Sequence, residues 1–421
     1  RIDGGRDVSV GRTAMKACVF TLGCKMNEVE SESLMRGLEE LGYETTEELC
    51  PADLYLLNTC AVTAEAEKKS RQAVARMRKF NPAAPVVVCG CASQNNAEAF
   101  LKKEGVTLVT GAQGKDKILS LLRERGIFRA ADEAFCELPL PRRTKTRAYL
   151  RIQDGCNRFC SYCLIPYLRG RTRSRSAQSI LNEALRVDAK EIVLTGIDIT
   201  SYCDGDTTLS GLIKMLSKVP ARIRLGSLEA GIVTEELLAA MKQAGNALPH
   251  FHLSLQSGSS KVLRAMNRHY TREEYLNKCK LIYSYFPNAA ITTDIIVGFP
   301  TETEEDFKES LSIVEEAGFS KVHAFPYSRR EGTAAAKLKD VPADVKKERM
   351  ARMLQAARQA EQNYIQKYLG TEQTVLYEED GGYTENYIRV YCEGAREGGL
   401  YLMKLISEKD DGAKAEIIKE L

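Results

Sequence analysis

Three thiols within eight residues set the chemistry of this chain. Cys156-Asn157-Arg158-Phe159-Cys160-Ser161-Tyr162-Cys163 separates its cysteines by three and then two residues, with Gly155 just ahead. A loop of that length wraps three sulfurs around one centre. Iron–sulfur clusters are usually held by four thiolates, so three leave one iron open to bind something else. That arrangement suits catalysis better than plain electron transfer. Short cysteine spacings also serve zinc, which would want a fourth ligand, and no His lies near this run. Spacing favours the cluster and keeps zinc as the alternative.

Three further cysteines stand alone but in equivalent places. The apolar run 16–22 (KACVFTL) reads as a buried strand that stops at Gly23-Cys24. Leu54-Tyr55-Leu56-Leu57-Asn58 reads as a second strand, followed by Thr59-Cys60, and Pro85-Val86-Val87-Val88 as a third, followed by Cys89-Gly90-Cys91. Val106-Thr107-Leu108-Val109 reads as a fourth. Helical periodicity fills 27–41, 63–79 and 114–125 between and after them. Alternating strands and helices predict a parallel sheet, and ligands sit at the carboxyl ends of such strands. Cys24, Cys60 and Cys91 are therefore candidates to converge on one point, against the plainer reading of three buried free thiols. Cys89 competes for the third place; Cys91 is preferred because it follows Gly90 as Cys24 follows Gly23.

From Ala148 the pattern restarts. Tyr149–Gln153 is a strand leading into the three-cysteine loop, and strand-like runs recur at 191–195, 222–225, 252–255, 293–297 and 321–325. Helical stretches at 176–186, 208–217, 234–243, 271–284 and 304–317 separate them. Six such units predict an open relative of the eight-fold β/α barrel, with the cysteine loop after its first strand. A helix over 343–369 ends at Gly370. Short strands with glycine turns then predict a small β-barrel over about 371–421.

Bulk properties agree with this division. A chain of 421 residues is too long for one ordinary domain. Hydrophobic content of 44% and charged content of 28% are ordinary for a soluble protein. No stretch approaches 18 uninterrupted apolar residues, so no membrane span is predicted. Residues 1–14 lack an apolar core and are read as an expression remnant or disordered leader. Thirteen irregularly spaced cysteines do not form a disulfide framework, which implies a reducing, cytoplasmic setting. Cys18, Cys50, Cys89, Cys136, Cys203, Cys279 and Cys392 are read as buried filler.

The C-x3-C-x2-C run with Tyr162 before its last cysteine resembles the radical S-adenosylmethionine (SAM) superfamily. In that family the open iron chelates SAM, which is cleaved to an adenosyl radical. The motifs Leu22-Gly23-Cys24-Lys25-Met26-Asn27, Asn58-Thr59-Cys60-Ala61-Val62-Thr63 and Gly90-Cys91-Ala92-Ser93-Gln94 look like the amino-terminal domain of the methylthiotransferases. The resemblance covers the chain from Met15 onward. It implies a second [4Fe–4S] cluster on Cys24, Cys60 and Cys91 beside the one on Cys156, Cys160 and Cys163. It also implies a SAM site drawing on Tyr162, Thr195, Gly196, Ser254, Gln256, Asp294 and Gly298. Thr301 stands where the family more often has Gly. The implied α/β organisation is a leader (1–14), a doubly wound amino-terminal domain (15–138), a linker (139–147), a radical SAM partial (β/α)6 barrel with its helix (148–369) and a TRAM-like, RNA-binding barrel (370–421).

Charge adds a substrate class. Residues 142–175 hold ten Lys or Arg and one acid, Asp154. A basic stripe beside an active site is the footprint expected for a phosphate backbone, which nominates Arg169, Arg171, Arg173 and Arg175 for RNA contact. The terminal segment points the other way, with twelve Asp or Glu against six Lys or Arg from Thr371 onward. A local face of Arg389, Arg396 and Lys404, with Tyr383, Tyr387 or Tyr391 stacking on bases, is what the resemblance leaves it. Gly23-Cys24-Lys25-Met26-Asn27-Glu28 and Gln153-Asp154-Gly155-Cys156 look most like the branch acting on N6-threonylcarbamoyladenosine. The isopentenyladenosine and ribosomal-protein aspartate branches are the alternatives. The expected partners are a tRNA anticodon stem-loop and an electron donor such as flavodoxin or ferredoxin, with no stable protein partner. A non-catalytic iron–sulfur protein that binds RNA or transfers electrons is the reading from another class.

Overall fold

The computed structural model describes residues 14–61, 64–130, 135–138 and 146–421. The expected leader (apart from Ala14), most of the expected linker, and Val62 and Thr63 of the Cys60 motif lie outside the described residues. The chain divides into two compact units, one made mainly of residues 1–131 and the other mainly of 143–421.

The first unit is a six-stranded parallel sheet. Its order is Tyr43–Thr46, Met15–Thr21, Leu54–Thr59, Val86–Gly90, Val106–Thr110, Gly126–Phe128. Parallel sheets are covered on both faces, and Leu54–Thr59 and Val86–Gly90 are buried at every position. Leu34 and Leu38 of the helix Lys25–Glu40 pack with Val19, Leu56, Val87 and Leu108. Strand order reverses between Met15–Thr21 and Leu54–Thr59, which makes their carboxyl ends a topological switch point. The helix expected over 114–125 is shorter: a single turn at Lys115–Lys117 and then Ile118–Leu121.

The second unit begins with a parallel set ordered Arg222–Leu225, Glu191–Thr195, Arg147–Arg151 and continues with Ser227–Leu228, His250–Leu253, Ala290–Val297 and Lys321–Pro326. Gly226 joins Arg222–Leu225 to Ser227–Leu228, so these make one bent strand. A Cβ at Gly226 would lie 2.8 Å from the Leu194 carbonyl oxygen. Six strand positions and the helices after them form the expected open barrel. Ala148, Leu150, Ile152, Ile192, Leu194, Ile223, Leu225, Phe251, Leu253, Ile291 and Ile295 belong to one core with the surrounding helices. Since strand side chains alternate, Arg147, Tyr149, Arg151, Glu191, Thr195, Arg224, His250, His252, Asp294 and His323 lie on the concave face.

The chain ends in a closed five-stranded barrel ordered Glu372–Glu378, Gly381–Thr384, Arg389–Tyr391, Gly412–Glu420, Leu400–Lys409. Its core of Val375, Val390, Met403 and Leu405 includes Tyr364 and Ile365 from the helix Ala343–Gln366. This barrel closes the amino end of the larger one. Tyr387 stacks on His250 (ring centroids 4.3 Å) and on Tyr383 (4.8 Å). Arg147 lies over Tyr383 and Arg224 over Tyr387, each at 4.7 Å. Arg224 Nη1 also donates to the Glu385 carbonyl (3.0 Å). Beneath these rings Glu191 accepts from Arg224 Nε (2.7 Å) and Arg222 Nη2 (2.7 Å) and pairs with Arg147 Nε (3.0 Å). The expectation that Tyr383 and Tyr387 offer free faces to bases is therefore corrected: their rings are held against arginine and histidine inside the unit. Among the described residues no helix is long and apolar enough to cross a membrane.

Candidate active site

The cysteine loop leaves the first barrel strand and is tied at its neck. Gln153-Asp154 pairs antiparallel with Arg173-Ser174, and Cys156 N–H donates to the Gly170 carbonyl (3.1 Å). Gly155 has φ +73°, and a Cβ there would lie 1.9 Å from the Arg171 carbonyl oxygen. Only glycine fits this crossing. Further round, Phe159 takes φ +49°, and Asn267 Nδ2 donates to the carbonyls of Arg158 and Phe159 (3.2 and 3.0 Å). Ser161 is anchored through its N–H to Met266 O (2.9 Å) and its hydroxyl to Ala265 O (2.8 Å).

Each of the three sulfurs has an N–H directed at it. Arg158 N–H donates to Cys156 Sγ (3.4 Å), Ile165 N–H to Cys163 Sγ (3.4 Å), and the Arg268 guanidinium to Cys160 Sγ (3.6 Å). Burial pushes the free Cys156 thiol up to about 11, so a bound metal would be what holds it as thiolate. Tyr162 does not face this centre from solvent. It packs behind the loop with Val262, Met266, Phe299, Tyr327 and Ala335.

A polar network that the spacing did not reveal surrounds the loop. Arg158 Nε donates to Asp198 Oδ2 (3.0 Å), and its Nη2 to Thr200 (3.0 Å) and toward Glu229 (3.4 Å). Asp198 N–H donates to Gln153 Oε1 (2.7 Å). Arg268 also donates to the Ser254 carbonyl (3.1 Å) and to the Tyr270 hydroxyl (3.0 Å). Arg158, inside the loop, and Asp198, just past Thr195-Gly196, carried a positional signal. Arg268 carried none.

Of the residues nominated for SAM, Thr195 ends its barrel strand, Gly196, Ser254, Gln256 and Gly298 follow theirs, and Asp294 lies within Ala290–Val297. Thr195 is buried. A Cβ at Gly196 would lie 2.9 Å from the Gln153 carbonyl oxygen, so this glycine permits close contact between two loops. Gln256 takes φ +73°, and its N–H donates to the Asp294 carbonyl (2.8 Å). Asp294 Oδ2 meets His252 Nε2 (3.2 Å), whose Nδ1 meets Thr292 (2.9 Å). Gly298 offers no open backbone. Its N–H donates to Glu302 (2.9 Å), and a Cβ would lie 2.5 Å from Lys346 Cγ.

The basic stripe is not one solvated face. Arg169 is fully buried against Asp154 (3.0 Å), and Arg175 is buried with Glu183 and Glu137. These two were nominated for RNA contact from charge alone, and their burial corrects that expectation. Arg173 is half-buried and donates to the Arg169 carbonyl (2.8 Å). Arg171 is exposed, with its guanidinium over the Phe159 ring (4.5 Å).

In the first unit Cys24, Cys60 and Cys91 follow three adjacent strands at and beside the switch point. Cys60 and Cys91 are buried and Cys24 is exposed. A Cβ at Gly23 would lie 3.0 Å from Cys60 Sγ, and one at Gly90 would lie 2.4 Å from the Thr59 carbonyl oxygen. Both glycines have positive φ, so the cysteine-bearing loops close tightly on one another. Beneath them, Asn27 Nδ2 donates to Leu22 O (2.7 Å) and Thr59 O (3.0 Å), and Asn58 Nδ2 to Asn27 O (3.0 Å). A buried Lys115–Glu30 pair also reaches Asn58. Among the described residues no three His, Cys, Asp or Glu side chains are gathered closely enough for a single metal ion. The N–H donors directed at Cys156, Cys160 and Cys163 fit a cluster that those thiolates would hold.

Comparison with known proteins joins the two units. A family model described as the radical SAM superfamily matches residues 150–314, and one described as uncharacterized protein family UPF0004 matches residues 16–111. The threonylcarbamoyladenosine tRNA methylthiotransferase MtaB of Bacillus subtilis (strain 168) is 37% identical over 418 residues, covering 92% of each chain. The tRNA-2-methylthio-N(6)-dimethylallyladenosine synthase of Staphylococcus haemolyticus is 36% identical over 435 residues, covering 96% of this chain and 84% of the relative. Among solved structures, the radical S-adenosylmethionine methyltransferase TsrM of Kitasatospora setae aligns with a TM-score of 0.57 at 13% identity over 77% of each chain, a likeness of fold. With a barrel that presents three thiols at its carboxyl end and full-length relatives of one kind, this chain belongs to the tRNA methylthiotransferases of the radical SAM superfamily.

Proposed function

We propose that the chain converts N6-threonylcarbamoyladenosine at position 37, beside the tRNA anticodon, to its 2-methylthio derivative. The observation that carries the chemistry is the donor set of the Cys156–Cys163 loop, where each of three sulfurs receives an N–H. Cys156, Cys160 and Cys163 would hold one [4Fe–4S] cluster and Cys24, Cys60 and Cys91 a second. Bound there, such groups supply reductive cleavage of SAM and a site for sulfur. An aryl C–H is too inert for acid–base chemistry, and a radical route answers that.

The chain's own residues do the positioning. Arg268 ties Cys160 to the Ser254 carbonyl, so the loop and the fourth barrel strand move together. Asp198 and Thr200 fix Arg158 inside the loop, and the apolar packing of Tyr162 keeps water from behind it. His252 and Asp294 give the concave face hydrogen-bonding groups for a nucleobase. Burial, reinforced by His252, lowers the His323 imidazole below its ordinary value, which favours its neutral form. An unpaired loop nucleotide enters such a site most easily. A flavodoxin or ferredoxin would deliver electrons in the cytoplasm.

Relatives named for threonylcarbamoyladenosine are 37–39% identical and those named for dimethylallyladenosine 34–36%, which supports the first substrate. Nucleoside mass spectrometry of tRNA from cells with and without the protein tests it. Loss of 2-methylthio-N6-threonylcarbamoyladenosine is expected. Loss of the methylthiolated isopentenyl nucleoside instead would move the assignment to the other branch.

A further inference from the structure

Arg151 is a buried cation that meets no carboxylate among the described residues. It is 6% exposed, on the concave face of the first barrel strand, five residues before Cys156 and in register with Thr195. Arg147, Arg169, Arg175, Arg224 and Arg349 are comparably buried, and each meets an Asp or Glu. Arg151 meets none among the described residues. Its Nη2 donates to the Cys136 carbonyl (3.3 Å), and its guanidinium lies over the Phe135 ring (5.0 Å). Burying an uncompensated charge is costly. Such a group at the carboxyl end of a barrel strand is better explained by a ligand that brings the missing anion.

We infer that Arg151 is the receptor for the carboxylate on the modified adenine of the substrate. The inference rests on the function proposed above and names the substrate group read by the site. The threonyl substituent ends in a carboxylate, whereas an isopentenyl substituent has no polar atom. A guanidinium takes a carboxylate through two parallel hydrogen bonds, so Arg151 selects the first substrate and leaves its own charge stranded with the second. SAM carries the other carboxylate that reaches this end of the barrel, and the test separates the two sources.

The experiment uses the cluster-loaded full chain and synthetic anticodon stem-loops that differ only at position 37: N6-threonylcarbamoyladenosine, its methyl ester, or adenosine. Fluorescence anisotropy should show wild type binding the free carboxylate about 10- to 100-fold more tightly than the ester, the size of one charged hydrogen-bonded pair. Arg151→Gln should bind all three alike, and Arg151→Lys should restore part of the preference. The KM for SAM in RNA-free 5′-deoxyadenosine formation should stay unchanged. Equal binding of acid and ester by wild type would overturn the inference without recourse to any variant. Retained preference in Arg151→Gln would overturn it too, and a raised SAM KM with that preference intact would assign the cation to SAM. If wild-type protein methylthiolates isopentenyladenosine and not threonylcarbamoyladenosine, the proposed function fails. If it acts on threonylcarbamoyladenosine without discriminating the ester, only the role of Arg151 fails.

Discussion

The two ends of the large barrel differ in how they partner arginine. At the amino end Arg147, Arg222 and Arg224 surround Glu191, and the rings of Tyr383 and Tyr387 cover them. At the carboxyl end Arg268 reaches a sulfur and a carbonyl, Arg158 meets Asp198, and Arg151 meets no carboxylate among the described residues. Arg147 and Arg151 lie on the same strand and the same face, so backbone position does not separate them. The difference lies in what each end is for. A closed end can satisfy its charges internally, while an open end must leave valences for what binds there.

The largest expected effect lies at the open end. Cys160→Ala should bring 5′-deoxyadenosine formation below detection while leaving the urea midpoint near wild type. An equally large loss of fold stability would make that loop structural and erase the contrast. Next comes Glu191→Gln at the closed end. Removing one partner from a buried ionic cluster should cost about 3–5 kcal/mol in urea unfolding. Burial alone would raise the Glu191 carboxyl, but Arg224 and Arg147 outweigh it and bring it down to about 2. A carboxylate lowered in the folded state stabilises above its unfolded value of about 4.5 and loses that contribution as pH falls toward 2. Wild type should therefore show a stability slope between about pH 4.5 and 2 that Glu191→Gln lacks.

A matched pair then tests the comparison directly. Arg147→Met should lower the unfolding free energy by about 2 kcal/mol, since Glu191 keeps two of its three arginines. Arg151→Met should leave it unchanged or raise it, because an uncompensated buried cation gives way to an apolar side chain. A larger loss from Arg151→Met than from Arg147→Met would break the distinction between the ends. The smallest effect belongs to Thr301→Gly. Thr301 sits at φ +88° in the loop after the fifth barrel strand, and relief of that strain should stabilise the protein by about 1 kcal/mol in thermal unfolding.

Much of the fold could be read from apolar runs. Glu191–Thr195 and Arg222–Leu225 begin and end where their Ile, Val and Leu residues indicate. Other strands were hidden for physical reasons. Tyr43–Thr46 is a polar edge, Gly126–Phe128 has only three residues, and Gly381–Thr384 opens with two glycines. Gly412–Glu420 is mostly exposed, so its composition shows little apolar alternation. The cysteine loop was legible because its thiols are close in sequence. The guanidinium on Cys160 was not, since Arg268 comes from a distant helix end and has no spacing to betray it. Charge counting misread Arg169 and Arg175 because it registers sign and not burial, and the stripe's single acid, Asp154, meets both Arg169 and Arg173.

The short ribbon between Gln153-Asp154 and Arg173-Ser174 has a consequence for how iron is acquired. It draws together the ends of the segment that carries all three thiols, so folding itself supplies the loop-closure entropy. The thiols then meet iron and sulfide as one preassembled chelator, not as three separate encounters. Chemical reconstitution of the oxygen-damaged protein should accordingly need no unfolding step, and a protease should cut within the loop before it cuts the ribbon.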